Sequence, residues 1–229
     1  MNVRSLLPLI LSLSICWVPF FFSGCSDVTP ALTAVEATVV YEYVHFQTVP
    51  QQRLSVFVQE AEGTERIMEL VVNHQGTGIQ WYIGKPMVVY NGSMVKAGSA
   101  NLMPPYFSSI PTGEYDVVYT DLAGKTVSDG FSLNYSPVDG LPLDQSVLEK
   151  KMEQEESPQS AEPVKRIAVY AEQDGQGTLL FLDKARSNWE SLSDILKDYS
   201  DAKSLRLCLD YPSRQVRYLL PPQNIESGE

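Results

Sequence analysis

The sequence predicts a mostly β protein, with a β-sandwich in its first half and a small α+β unit of order ββαββ near its end. Between residues 35 and 136, apolar and polar residues alternate in short runs, as in antiparallel strands. An acidic stretch containing several prolines interrupts this alternation, and one helical pattern follows it. We therefore divide the chain into a signal peptide (1–24), a tether (25–34), the sandwich (35–136), an acidic linker (137–163), the α+β domain (164–222) and a tail (223–229).

The strand pattern of the first half consists of short runs separated by turn residues such as Asn91-Gly92 and Gly124. Short strands with regular turns and no helical pattern favour two packed antiparallel sheets. The predicted strands are 35–46, 53–60, 66–74, 79–83, 86–90, 114–121 and 126–135.

The segment from Pro111 to Tyr135 resembles the last hairpin of an immunoglobulin-like or fibronectin-III-like domain. Tyr115 lies where these domains have a tyrosine corner, whose hydroxyl bonds to the backbone just upstream. The resemblance implies that Val117 and an apolar residue near 68–70 replace the two core cysteines of antibody domains. It also implies that Trp81 is the buried tryptophan of strand C. Trp81, Tyr115 and Val117 are therefore the expected structural core.

The first residues have the layout of a secretory signal. Arg4 precedes an almost wholly apolar run from Leu6 to Phe22, and small residues follow that run. The run is shorter than the roughly 20 residues that a membrane-spanning helix needs, and Pro8 and Pro19 interrupt it. We therefore expect a cleaved signal peptide, the alternative being an uncleaved signal anchor.

The end of this run, Phe22-Ser23-Gly24-Cys25, resembles the lipobox of bacterial lipoproteins, with Phe22 where the family usually has Leu. The resemblance implies cleavage before Cys25, a diacylglycerol thioether on its sulfur and acylation of its amino group. A single acyl chain binds a membrane only marginally, whereas two or three hold a protein there durably. We therefore expect an exported protein anchored to a bacterial membrane by lipid on Cys25, with the leaflet left open.

The net charge of −11 argues against nucleic acid as a partner, because nucleic-acid binders need clustered Lys and Arg. Of the three cysteines, Cys16 would leave with the signal and Cys25 would carry lipid, so only Cys208 remains. No intramolecular disulfide is then possible, and apolar cores must hold the fold together. We expect Cys208 to be structural, on the strand face that it shares with Arg206 and Asp210.

The second folded part begins with two predicted strands, KRIAVYAE and TLLFLDK, around the turn at residues 174–177. Ser187-Asn188-Trp189-Glu190 has the form of a capping box and predicts a helix start. Two further strands, SLRLCLD and QVRYLLP, follow. The predicted apolar face of the helix contains Trp189, Leu192, Ile195, Leu196 and Tyr199.

Motifs that carry chemistry are weak in this sequence. No HExxH, CxxC or GxSxG occurs, and we expect His45 and His74 to be ordinary strand or loop residues. Ser93-Met94-Val95-Lys96 has the S-x-x-K spacing of penicillin-interacting enzymes, but it follows a hairpin turn signal instead of opening a helix. We therefore expect no catalytic residue, no metal and no cofactor.

Tyrosines are concentrated in the first part, and some must point outward from their strands. Tyr82, Tyr90 and Tyr106 are candidates for a binding face, since exposed aromatics can contact protein or stack on sugars. Our leading hypothesis is a membrane-anchored, non-enzymatic interaction or assembly module of the cell envelope, with envelope proteins as partners. The alternative is a carbohydrate- or peptidoglycan-binding lipoprotein, and an enzyme or enzyme inhibitor ranks below both.

Overall fold

The computed structural model describes residues 29–44, 49–61, 66–91, 94–105, 108–138, 163–173, 175 and 177–225. Within these ranges the protein has two sheets and one α-helix, which confirms the prediction of a mostly β protein. The signal peptide, Cys25, His45, Tyr106 and most of the predicted linker lie outside the described residues.

The eight strands of the first half form four antiparallel pairs of consecutive strands. They are β1 (Leu32–Glu42), β2 (Gln51–Glu60), β3 (Ile67–His74), β4 (Gln80–Ile83), β5 (Met87–Asn91), β6 (Met94–Leu102), β7 (Gly113–Asp121) and β8 (Thr126–Leu133). The elements after residue 163 are β9 (Val164–Tyr170), β10 (Leu179–Asp183), α1 (Leu192–Asp198), β11 (Ser204–Tyr211), β12 (Val216–Leu219) and β13 (Gln223–Asn224).

The larger sheet has nine strands and extends through both predicted parts of the chain. Its order is β10-β9-β11-β12-β1-β2-β6-β5, and β13 pairs with β11 outside this path. The smaller sheet has the order β4-β3-β7-β8. All pairs are antiparallel except β1 with β12, which are parallel and place Val39–Glu42 beside Val216–Leu219. This parallel pair is the seam that joins the C-terminal strands to the sheet of the first half.

Side chains at the seam alternate between an aromatic face and a charged face, because successive residues of a strand point to opposite sides. Tyr41 pairs with Tyr218, and their rings stack 5.1 Å apart. Tyr135 and Tyr211 approach this pair edge-on. Glu42, the next residue of β1, lies on the opposite face and is buried.

The core of the first half is built from apolar side chains of both sheets, which belong to one buried cluster. Tyr115 is fully buried, and its hydroxyl donates a hydrogen bond of 2.6 Å to the carbonyl of Pro111, the contact that the tyrosine-corner pattern predicts. Leu70 is also fully buried, within the range expected to replace a core cysteine. The other fully buried members include Leu54, Val56, Val58, Val72, Val117, Tyr119 and Leu133.

Most predicted strand bounds agree with the structure to within two residues, and the larger differences are these. The first strand begins at Leu32 and ends at Glu42 instead of spanning 35–46. The strand Met94–Leu102 was not predicted, because Gly98 and polar residues weaken its alternation. Gly98 is required there, since a Cβ at this position would lie 2.0 Å from the carbonyl oxygen of Val56 on the neighbouring strand.

The C-terminal elements follow the predicted order ββαββ, and β13 was not predicted. The predicted helix start is wrong. The N-cap of α1 is Ser191, and the capping box is completed by Asp194. Trp189 precedes the helix and is fully buried, and its indole donates to the Asp198 carboxylate at 2.7 Å. Ile195 is the fully buried residue of the helix itself.

Candidate functional site

The three residues expected in the structural core occupy different depths. Tyr115 and Val117 are fully buried on the central strand β7. Trp81 lies on β4, an edge strand of the smaller sheet, and is only partly buried. Its ring stacks on Tyr115 at 6.4 Å, and its indole donates to the carbonyl of Met103 at 2.7 Å. Trp81 therefore closes one side of the core from an edge strand instead of occupying a central strand.

The two described candidates for a tyrosine binding face are both exposed. Tyr82 has 68% and Tyr90 has 64% of its surface accessible. Tyr82 lies on β4 of the smaller sheet, and Tyr90 lies on β5 of the larger sheet. The hydroxyl of Tyr82 donates to Glu69 at 2.5 Å, and this hydrogen bond raises the pKa of Tyr82. The two residues belong to different sheets, so no single sheet face presents both.

Strand β5 is the outer edge of the larger sheet and pairs only with β6 among the described residues. Its sequence, MVVYN, contains no charged residue. Met87 and Val89 point to one side of the strand and Tyr90 to the other, and all three are exposed, Met87 by 51%. Met94 on β6 is exposed beside them. We call these four residues and the free backbone of β5 the β5 edge.

Two buried groups that could have carried chemistry have structural roles. The Nδ1 of His74 accepts the backbone N–H of Thr77 at 3.0 Å, and its Nε2 therefore carries the proton and donates to the carbonyl of Thr112 at 3.0 Å. Cys208 is fully buried, and burial raises the pKa of its thiol to about 12. Neither group faces solvent, in agreement with the predicted structural role of Cys208.

The side chain of Arg186 occupies an aromatic pocket in the C-terminal part. Its guanidinium carbon lies 5.3–5.4 Å from the ring centroids of Phe181, Trp189 and Tyr199. The same guanidinium pairs with Asp198 at 2.9 Å. The cation that such a pocket favours is therefore supplied by the chain itself.

A polar cleft of about 530 Å³ opens beside the seam, where the ends of β1, β2 and β6 meet the end of β9. The lining residues come from two distant parts of the sequence, because Glu42 to Met103 precede the predicted linker whereas Tyr170, Gly175 and Gly177 follow it. The lining residues are Glu42, Gln51, Arg53, Asn101, Met103, Tyr170, Gly175 and Gly177.

A buried ion cluster forms the floor of this cleft. One oxygen of Glu42 accepts from Arg206, and the other lies 2.6 Å from Nη2 of Arg53. Arg206 is 1% exposed, and all five of its N–H groups are bonded. Its other acceptors are the carbonyls of Tyr43, Gly175, Leu219 and Leu220. Arg206 is therefore a structural cation with no donor left for a ligand.

Arg53 differs from Arg206 in that its guanidinium has donor capacity left. Its Nη1 reaches the Asn101 side chain at only 3.4 Å, and its Nε is buried without a hydrogen-bond partner among the described residues. Tyr170 lies near this guanidinium, and burial raises the pKa of Tyr170, so its hydroxyl stays protonated at neutral pH. The cleft thus offers an incompletely bonded arginine beside neutral hydrogen-bonding groups.

Glycine is required at the turn that borders the cleft. Gly175 has a φ of +67°, and a Cβ there would lie 2.6 Å from Pro222 and 2.7 Å from Arg206. The turn can therefore close over the Arg206 side chain only with glycine at this position.

Sequence reasoning did not identify this cluster, because Glu42 and Arg206 are 164 positions apart and belong to different predicted parts. The one available signal is the placement of Arg206 and Asp210 inside a strand whose alternate residues are leucines. A charged residue at such a position needs a partner if its face is covered.

Among the described residues, no group of three or more His, Cys, Asp or Glu is arranged to hold a metal ion. Within the same ranges, no helix has the length and apolar character needed to cross a membrane. Comparisons with protein-family models and with curated proteins found no match for the chain.

Proposed function

We propose that this protein is a bacterial lipoprotein, held at a membrane by lipid on Cys25, that acts as a non-enzymatic interaction or assembly module of the cell envelope. The anchor is inferred from the apolar run that ends in Ser23-Gly24-Cys25. The interaction role is inferred from the β5 edge, whose exposed apolar side chains are the observation that carries the proposal.

We also propose that residues 32–133 form an immunoglobulin-like sandwich. The strand orders β1-β2-β6-β5 and β4-β3-β7-β8 support this, since they correspond to A-B-E-D and C′-C-F-G of such domains. The hydrogen bond from Tyr115 to Pro111 supports it as well. Immunoglobulin-like domains serve many unrelated functions, so the fold alone does not decide the activity.

The β5 edge has the chemistry that favours strand addition. An edge strand presents unpaired N–H and C=O groups, and natural proteins usually protect such edges with charges, bulges or prolines. Lys85-Pro86 precedes the strand, but β5 itself carries no charge and exposes Met87, Val89 and Tyr90. An extended partner segment would gain main-chain hydrogen bonds from β5 and apolar contacts on both of its sides.

The occupant that fits this edge is an extended segment of another envelope protein. The strand has five residues, so pairing β5 with β5 of a second copy would bury little area compared with the roughly 1,200–2,000 Å² of stable interfaces. An extended segment can continue past the strand and contact Met94 and neighbouring surfaces, which enlarges the interface.

Photo-cross-linking in intact cells tests this proposal. A benzoylphenylalanine at position 90 should give a discrete product with one other envelope protein, and Val89→Lys in the same chain should abolish that product by placing a charge on the edge. The matched control is the same probe at Leu122, which is 67% exposed on the turn between β7 and β8 and should give no such product. A product with the mass of two copies of this chain would show that β5 pairs with a second copy and not with another envelope protein. Equal products at positions 90 and 122 would contradict a specific edge.

The anchor is tested separately. Cys25→Ala should abolish labelling by a palmitate analogue and leave the precursor uncut, because the thiol is the acceptor of the lipid. Labelling and processing that are unchanged in this variant would end the lipoprotein proposal, whatever the cross-linking shows.

A further inference from the structure

We propose that the cleft beside the seam is a binding site for a small acidic sugar, a ligand with one carboxylate and several hydroxyl or amide groups. The site is independent of the β5 edge, since it involves different strands and a different kind of ligand. It also gives the carbohydrate-binding alternative a location other than the exposed tyrosines.

The size and lining of the cleft fit such a ligand. Its volume of about 530 Å³ lies within the roughly 300–1,000 Å³ of small-molecule sites. Gln51 and Asn101 are exposed and carry amides that both donate and accept, as the hydroxyls of a sugar require. Tyr170 adds a hydroxyl donor, and Met103, which is 42% exposed, adds an apolar surface for the C–H groups of a ring.

The charge of the cleft selects a singly charged anion. Two guanidinium groups, Arg53 and Arg206, share the one carboxylate of Glu42, so the floor keeps one positive charge in a chain whose net charge is −11. A carboxylate neutralises that charge, whereas a doubly charged phosphate would leave the floor negative. Among the described residues, Glu172 places a further carboxylate beside Gly177; it is exposed to water, so its effect is screened.

Arg53 is the residue that we assign to the ligand carboxylate. Arginine binds carboxylates through two parallel N–H bonds, a geometry that lysine does not reproduce. The bond from its Nη1 to Asn101 is stretched to 3.4 Å, whereas every N–H of Arg206 is bonded to the protein. A ligand oxygen can therefore bond to Arg53 without breaking the ion pair with Glu42.

The charge selectivity is tested by ligand-observed saturation-transfer NMR on the full-length protein in nanodiscs. Glucuronate and glucose form a matched pair, because they differ only in a carboxylate that replaces a hydroxymethyl group. Glucuronate should bind with a dissociation constant in the millimolar range or below and at least 10-fold more tightly than glucose. Acetate should bind more weakly than glucuronate, because it lacks the hydroxyls. Equal binding of the two sugars, or no binding of glucuronate at 20 mM, would overturn the proposal.

Variants then locate the site. Arg53→Lys keeps the charge and should weaken glucuronate at least 10-fold, and Asn101→Ala should weaken it several-fold. The control is Asn188→Ala, an exposed asparagine outside the cleft, which should leave glucuronate binding unchanged. If Arg53→Lys lowers the melting temperature substantially, the binding result of Asn101→Ala decides whether the cleft is the site, because replacing the exposed Asn101 should not disturb the fold. If Asn101→Ala bound glucuronate as tightly as the control Asn188→Ala does, the ligand would lie outside the cleft and the assignment would be refuted.

Discussion

Replacing Arg206 by methionine should destabilise the protein strongly, because the side chain holds the two predicted parts together at the seam. Arg206 is 1% and Glu42 is 6% exposed, so both charges are removed from water. Arg206→Met leaves Glu42 with Arg53 as its remaining ionic partner and leaves four backbone carbonyls without this donor. Removing one member of a buried ion pair costs about 3–5 kcal/mol.

The magnitude is large compared with the total stability of a domain, which is about 5–15 kcal/mol. The cost of about 3–5 kcal/mol for a broken buried pair already includes the desolvation of the remaining partner. Combining Arg206→Met with Glu42→Gln should cost less than the sum of the two single changes, by at least about 1 kcal/mol, since the double variant no longer buries an under-paired carboxylate.

Urea unfolding followed by tryptophan fluorescence measures this effect, since Trp81 and Trp189 report on the first and second parts of the chain. Arg214→Met is the matched control, because Arg214 is exposed and the described hydrogen bond of its guanidinium, to the carbonyl of Pro137, is 3.5 Å long. The control should change the free energy of unfolding by no more than about 0.5 kcal/mol. If Arg206→Met unfolded at the same urea concentration as Arg214→Met, the buried pair would not stabilise the seam and the reasoning would be refuted.

Three further predictions test the division of the chain, the buried thiol and the core. Limited proteolysis should cut first between about 141 and 163, where the composition is acidic and rich in proline. The two fragments should still elute together from a size-exclusion column under native conditions, because β12 pairs with β1. Separate elution would contradict the pairing at the seam. Cys208 should react with a thiol reagent at pH 8 only after unfolding, because its pKa is raised to about 12 and it is buried, and rapid labelling of the folded protein would show an open site. Trp81→Ala should lower the free energy of unfolding by about 2–3 kcal/mol through lost burial, and Tyr115→Phe should lower it by about 1 kcal/mol through the lost hydrogen bond. Urea midpoints measure both changes. The control is Tyr82→Ala, on the exposed side of the strand that carries Trp81, which should leave the midpoint unchanged. Equal midpoints for the Trp81 and Tyr82 variants would place Trp81 outside the core.

Features set by neighbouring residues could be predicted from the sequence, and the tyrosine corner is the clearest case. The bond from Tyr115 to Pro111 spans four positions, so one short pattern contains both partners. The exposure of Tyr82 followed from the alternation of its strand once Trp81 was placed inward. Such inferences need no knowledge of how distant segments meet.

The start of the helix could not be predicted, because two consecutive segments have the form of a capping box. Ser187 with Glu190 and Ser191 with Asp194 satisfy the same local rule. Tertiary contacts decide between them. Trp189 is buried just before the helix, with its indole bonded to Asp198, so the chain turns into the helix only after residue 190. A helix of seven residues depends on such packing more than on its own propensity.

The seam and the cleft were also beyond prediction, because they depend on the pairing of segments far apart in the chain. The parallel register that places Glu42 beside Leu219 leaves no local pattern in either strand. Only the pairing of these strands brings Arg53 and Tyr170 to one cleft, so the sequence alone could not identify the cleft as a candidate site.

The seam also bears on the proposed role of β5. Without the C-terminal strands, the larger sheet of the first half would have two free edges, β1 and β5. The chain covers the β1 edge with its own strand β12, using the stacked pair of Tyr41 and Tyr218 and the buried carboxylate of Glu42. The β5 edge has no such cover among the described residues and no charge within the strand, although free edges are normally protected against unwanted pairing. Because the chain covers the β1 edge and leaves the β5 edge uncharged and apolar, we expect β5 to pair with a strand of a partner protein.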